Sequence, residues 1–165
     1  MIFNIRKSHH HSDGFLFKLF SSIHISNRLE YIVEFDPSCI YELPNEDQYD
    51  INKLFGFSSG YHHTNSARFG WNWDGKHLHI YSYCYINKKR DISYICSIEL
   101  EKEYKFIIID KKTQYLFTII DQEINHIYQT SINKQSTLLP GYQLWPYFGG
   151  NCKAPHNIKI SLKTC

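Results

Sequence analysis

Apolar and polar residues alternate in short runs along most of this chain, and Asp, Asn, Gly and Pro interrupt the runs. Residues 29–35 set Leu29, Tyr31, Val33 and Phe35 on one side and Glu30 and Glu34 on the other, and Asp36-Pro37 ends the run. A period of two is the mark of a half-buried strand. Residues 66–73 and 76–86 form the clearest pair of such runs. Residues 92–98 place Ile92, Tyr94, Cys96 and Ile98 on one side. Residues 104–109, 115–120, 124–130, 142–148 and 157–162 read as further strands, with Asp110-Lys111-Lys112, Asp121-Gln122-Glu123 and Gly149-Gly150-Asn151 as turns. No stretch sustains a 3.6 period, and no repeat or low-complexity block divides the chain. Many short strands at this spacing predict an all-β fold, an antiparallel two-sheet β-sandwich of jelly-roll type, as one domain over residues 1–165.

The strongest local signal is Asp74-Gly75, which lies between Ser66-Ala67-Arg68-Phe69-Gly70-Trp71-Asn72-Trp73 and Lys76-His77-Leu78-His79-Ile80-Tyr81-Ser82-Tyr83-Cys84-Tyr85. Asp-Gly suits a two-residue hairpin turn because both central positions need positive φ. That turn predicts Trp73 opposite Lys76, Asn72 opposite His77, Gly70 opposite His79, Arg68 opposite Tyr81 and Ser66 opposite Tyr83. One face then carries Ala67, Phe69, Trp71, Trp73, Leu78, Ile80, Ser82 and Cys84 and belongs to the core. The other carries Ser66, Arg68, Asn72, His77, His79, Tyr81 and Tyr83, with a gap at Gly70.

Composition agrees with sheet. The chain has 22 Ile, 13 Tyr and 11 Phe against two Ala and one Met, so residues that fit a pleated surface dominate and the best helix former is nearly absent. Its 165 residues are enough to bury roughly 70% of the unfolded surface without staples. The net charge of +2 excludes a strongly basic nucleic-acid binder. The longest apolar runs are of four residues, against the ~18 that a membrane helix needs. The first twenty residues hold no continuous apolar stretch, so no signal peptide is visible. A cytoplasmic location is expected, or secretion if a leader precedes Met1. Cys39, Cys84, Cys96, Cys152 and Cys165 are odd in number and form no CxxC, which predicts no structural disulfide and leans toward a reducing compartment.

The polar hairpin face mixes aromatic rings that have polar tips with one guanidinium, where a merely solvated face would carry Lys, Glu and Thr. Such a face suits a ligand with apolar faces and many hydroxyls, as a sugar has, and Gly70 would let it approach the backbone. The competing assignment is a second core layer whose hydroxyls bond to one another. Gln143, Trp145 and Tyr147 would extend the platform, with Leu144, Pro146 and Phe148 pointing inward. His62, His63 and Asn65, in a Ser/Gly-rich loop, either rim this groove or stay exposed loop residues.

Asn52-Lys53-Leu54-Phe55-Gly56-Phe57, then Ser66-Ala67-Arg68, Trp71, Asp74-Gly75 and Tyr81-Ser82-Tyr83, together resemble the motif series of jelly-roll polysaccharide lyases, the alginate and glucuronan lyases of concanavalin-like lectin/glucanase fold. The similarity is greatest over residues 50–85. Phe55 stands where the lyase pattern has proline, and one glycine before Lys53 is missing. The resemblance implies a carbohydrate-active jelly roll and a β-elimination on an acidic, uronate polysaccharide. Arg68 and Lys53 would then neutralise the carboxylate, Tyr81 or Tyr83 would donate or accept the proton, and His79 or His77 would assist. Asn72, His77, Asn65, His63, Gln143, Trp145 and Tyr147 would contact the ligand. The alternatives on the same fold are a non-catalytic, lectin-like binding module and a protein-interaction domain.

A glycoside hydrolase usually needs two carboxylates about the scissile bond, and the polar hairpin face holds none. His77 and His79 point the same way and can chelate, yet no zinc spacing or EF-hand loop is present, so neither a metal nor another cofactor is expected. The basic residues are dispersed, and no nucleic acid is expected as a partner. The expected partner is a polysaccharide or oligosaccharide, with no membrane.

Overall fold

The computed structural model describes residues 1–14, 23–24, 26–135 and 141–165, so the N-terminal stretch searched above for a leader lies partly outside it. Among these residues twelve strands fall into two antiparallel sheets. The first has the order β1 (Ile2–Ile5), β12 (Ile158–Thr164), β3 (Arg28–Phe35), β8 (Tyr104–Lys111), β9 (Gln114–Asp121), β10 (His126–Asn133). The second has the order β2 (Ile23–His24), β11 (Gly141–Leu144), β4 (Asn52–Ser58), β5 (Ser66–Trp73), β6 (Leu78–Ile86), β7 (Lys89–Ile98). This is the jelly-roll sandwich that the alternation predicts. The helical segments described are two short 3-10 turns, Pro37–Cys39 and Asn45–Tyr49. Among the described residues no helix is long and apolar enough to cross a membrane.

The core lies between the inner faces. Phe69 meets Phe106 at 4.8 Å and Phe117 at 5.2 Å between ring centroids, both edge-on, and so ties β5 to the opposite sheet. Leu29, Tyr31, Val33 and Phe35 are all buried, as are Ala67, Trp71, Leu78, Ile80, Ser82 and Cys84. All five cysteines are free, and Cys39, Cys84 and Cys96 are buried as small apolar groups.

Several expectations are corrected. The hairpin turn has four residues, not two. Asp74 N–H donates to the His77 carbonyl at 3.2 Å, while Asp74 Oδ1 accepts from the Lys76 and His77 amides at 2.8 and 2.6 Å. The side-chain cap favours this wider loop, with Gly75 at φ +99°. The register therefore moves by two: Arg68 pairs with Tyr83, Gly70 with Tyr81, Asn72 with His79 and Ser66 with Tyr85. A shift of two keeps every side chain on its face. In β7 the pairing skips Ile95, so this bulge turns Tyr94 outward, 55% exposed, while Cys96 and Ile98 remain buried. The strand expected at 124–130 runs instead over His126–Asn133, because residues 122–125 form the turn.

Candidate functional site

The site begins with β4, whose seven residues are all buried and show no alternation. A bulge explains the pattern. Lys53 pairs with Gly70 but Gly56 pairs with Arg68, so Leu54 and Phe55 together oppose one residue of β5. The extra residue brings Lys53 and Gly56 onto the same outer face as Arg68. At Gly56 an added Cβ would overlap the Ala67 carbonyl and stand 2.7 Å from Arg68 Cγ. The glycine thus makes room for the Arg68 stem to lie across the strand. That is a physical link between the Lys53–Gly56 and Ser66–Arg68 strings, which are otherwise separated by a loop.

Around these two cations lies a groove of about 550 Å³, walled by Lys53 (β4), Arg68 (β5), Tyr83 (β6), Gln143, Leu144, Trp145 and Tyr147 (β11 and beyond), and by His11, Tyr61, His62, His63 and Tyr142 at the rim. Among the described residues its lining contains no Asp or Glu, although Asp50, beside Gly150, partly opposes the depression of the Lys53 pKa. Arg68 is 8% exposed, its Nε has no hydrogen-bond partner, and no ion pair of Arg68 or Lys53 is found among the described residues. The Arg68 guanidinium lies 5.7 Å from the Tyr83 ring centre, and Lys53 Nζ stands 5.0 Å from the same ring. Lys53 Nζ donates to the Gly149 carbonyl at 3.0 Å. Burial, and then the Arg68 charge, lower the Lys53 pKa to about 8. Burial lowers that of Arg68 as well, but a guanidinium keeps its proton at neutral pH. A buried, unpaired cation is costly unless an anion completes it.

His62 Nδ1 lies 2.6 Å from the Tyr142 hydroxyl. Burial, Arg68 and His63 together depress the His62 pKa to about 4, so its ring is neutral at neutral pH. Burial raises the pKa values of Tyr83 and Tyr147, which therefore keep their phenolic protons. The groove thus combines two cations with four tyrosines and three histidines, among them the protonated phenols of Tyr83 and Tyr147 and the neutral imidazole of His62.

The residues expected at the site divide into two groups. Lys53, Arg68, Tyr83, His63, Gln143, Trp145 and Tyr147 come together at the groove. Tyr147 is placed by exchanging two backbone hydrogen bonds with Lys53, at 2.8 and 2.9 Å. Gln143 Nε2 donates to Tyr31 OH at 2.7 Å and Trp145 stacks on Phe3 at 5.5 Å, so each shows the groove only part of its surface. Leu144 lies in the groove wall rather than inward. It pairs with Gly56, and regular pairing ends before Pro146, where the alternation changes phase. His77, His79, Tyr81, Asn72 and Asn65 are not in the lining. Asn72 donates to the Tyr49 carbonyl and accepts from Tyr81 OH at 3.3 Å, and Asn65 Oδ1 accepts from the Asn87 amide at 3.0 Å. Both asparagines serve the scaffold. His79 and His77 gather at the hairpin end around Asp74.

The division has one cause. The gap expected at Gly70 is filled, because a Cβ there would collide with Ile51 Cγ2. Ile51 sits over the glycine and partitions the outer face, with the groove on one side and the Asp74 cluster on the other. Sequence reasoning did not single out His11, Tyr61 or Tyr142 as groove residues. They reach it from segments distant in sequence, Tyr142 from β11, and carry no local pattern apart from the aromatic and histidine richness of residues 61–63.

No protein-family model matches the chain, and no curated relative matches it. Solved structures share its fold. The alginate lyase from Klebsiella pneumoniae superposes with a TM-score of 0.62 at 10% identity, covering 84% of this chain and 59% of that one. A functionally unknown protein from Saccharomyces cerevisiae gives a TM-score of 0.53 at 11% identity, with 87% and 73% covered. The enzymatically active domain of bacteriophage CBA120 tailspike protein 2 gives 0.52 at 10% identity, with 87% and 23% covered. At these identities the likeness shows the jelly-roll sandwich alone, and the chain spans about three-fifths of the alginate lyase's length.

Proposed function

We propose that the groove binds an acidic saccharide, with a uronate carboxylate on Arg68 and Lys53 and the sugar ring against Tyr147 and Trp145. The observation that carries this proposal is the buried Arg68, with its unpartnered Nε, beside a second cation in a groove without acidic residues. A planar carboxylate would satisfy the guanidinium bidentately. Aromatic walls suit the apolar faces of a sugar, and the surrounding hydroxyls and imidazoles suit its edges. The fold shared with an alginate lyase adds support.

The same groove is equipped for β-elimination. A base removes the C5 proton of the bound uronate, the C5–H electrons become the C4=C5 double bond, the C4–O bond breaks, and the departing oxygen takes a proton. Neutral His62 is the proton acceptor, and Tyr83 or Tyr147, still protonated, is the donor. A bound carboxylate would offset the Arg68 charge and thereby strengthen His62 as a base. A binding-only role has its own support, since an imidazole with a pKa of about 4 that is already engaged by Tyr142 is a weak base.

Incubation with alginate, glucuronan, pectate and glycosaminoglycans, followed at the ultraviolet band of unsaturated uronates, separates the two. A rising signal that is lost in His62→Gln establishes elimination. A flat signal with retained binding of one of these polymers leaves a recognition module. Binding of none, or binding unaffected by Arg68→Met, overturns the acidic-saccharide assignment.

A further inference from the structure

Beyond Ile51, at the hairpin end of the same outer face, three side chains converge. Asp74 Oδ2 lies 2.8 Å from His79 Nε2 and 3.9 Å from His77 Nδ1, and the three atoms all fall within 4.8 Å of one another. We propose that Asp74, His77 and His79 form a binding site for a divalent transition-metal ion of the zinc class. The site is independent of the saccharide groove and of its assignment.

The donor set suits that ion. Zinc takes imidazole nitrogen and carboxylate oxygen at about 2.0–2.2 Å, which places tetrahedral ligand atoms roughly 3.3–3.5 Å apart. The two separations from Asp74 Oδ2, 2.8 and 3.9 Å, straddle this range. Closing the longer one needs only a rotation of His77, whose side chain is half exposed. The other two ligands are already oriented. Asp74 Oδ1 is occupied by the Lys76 and His77 amides, which leaves Oδ2 directed at the histidines. His79 Nδ1 stands 2.8 Å from Ser97 Oγ, which in turn lies 2.9 Å from Tyr94 OH. Once a metal replaces the proton shared between Nε2 and Asp74 Oδ2, an Nδ1–H donated to Ser97 would hold the tautomer that presents the Nε2 lone pair, as metal-ligating histidines usually do. Three protein ligands leave further coordination positions open toward solvent.

The test is calorimetric titration of the metal-free full chain with zinc, repeated with cobalt to read the ligand field by visible absorption. One ion per chain is expected, weakened at least tenfold in His77→Ala and in His79→Gln, and about tenfold in Ser97→Ala, which removes only the orienting contact. His77 is a surface residue, so His77→Ala keeps the fold, and unchanged melting of the metal-free variant checks this. The control is His9→Ala/His10→Ala, because the His9-His10-His11 run is another group of histidines able to chelate. Undiminished binding in the His77→Ala/His79→Gln double variant overturns the proposal. So does loss of binding in the His9→Ala/His10→Ala control, or no binding at all by the wild type.

Discussion

Arg68 and Lys53 are both buried in one groove, and neither forms an ion pair among the described residues. Lys53 records the tension, because its folded pKa of about 8 is below the value near 10.4 of an unfolded chain. Between those two pH values the unfolded chain binds more protons than the folded one, so stability from this group rises with pH across the window. At pH 7 the buried ammonium is therefore a net cost. Lys53→Met is expected to be more stable than wild type at pH 7, on the order of 1–3 kcal/mol, with the gap closing toward pH 10.5 in denaturant titrations. Ligand affinity should move the other way, since acidic saccharide binding weakens above pH 8 as Lys53 loses its charge. Gly56 is the other decisive position. In Gly56→Ala a methyl group would meet the Ala67 carbonyl and the Arg68 stem. We expect a loss of about 1–3 kcal/mol in urea denaturation, with saccharide binding lost from the folded fraction because the guanidinium is displaced.

At the scale of elements, two bulges and one turn decide what the outer face presents. The faces of β3, β5 and β6 are legible in the sequence because a period of two survives even the two-residue error in register. The bulges at Leu54-Phe55 and at Ile95 are not legible, because an unpaired residue changes phase without altering composition. Nor is the four-residue turn, since Asp-Gly serves both lengths and the choice falls to the Asp74 carboxylate. Asp74→Ala removes the two amide contacts and the His79 contact. A loss of roughly 1–2 kcal/mol in chemical denaturation is expected at neutral pH. The depressed folded pKa of Asp74 means that its contribution is present above the unfolded value and is lost as pH falls below it. The difference between wild type and Asp74→Ala should therefore shrink on acidification.

Across the whole molecule, the sandwich supplies rigidity and the loops supply convergence. Phe69 packs on Phe55, Phe106 and Phe117, so one ring joins both sheets directly beneath the groove. Phe69→Ala should cost about 3–5 kcal/mol in urea denaturation. The chain's sheet-rich composition and strand spacing foreshadow this architecture. The meeting of residues 61–63, 142–147 and His11 around Lys53 and Arg68 is a property of topology, because β11 lies beside β4 although some ninety positions separate them. Lys53, Arg68 and Tyr83 are legible in the sequence because they sit in strands with recognisable strings, whereas the place of His62 depends on a loop whose path the sequence does not set. His79 and Tyr81 share the outer face with Arg68, yet Ile51 over Gly70 separates them from it.

The most direct test of the groove as an acidic-saccharide site is calorimetric titration with a uronate oligosaccharide and with the same oligosaccharide reduced to its neutral sugar. The Arg68 and Lys53 geometry predicts that only the acidic form binds, that Arg68→Met abolishes binding while the protein stays folded, and that added salt weakens it. Equal binding of the two forms, or full binding by Arg68→Met, would contradict the assignment of the buried cations to a carboxylate.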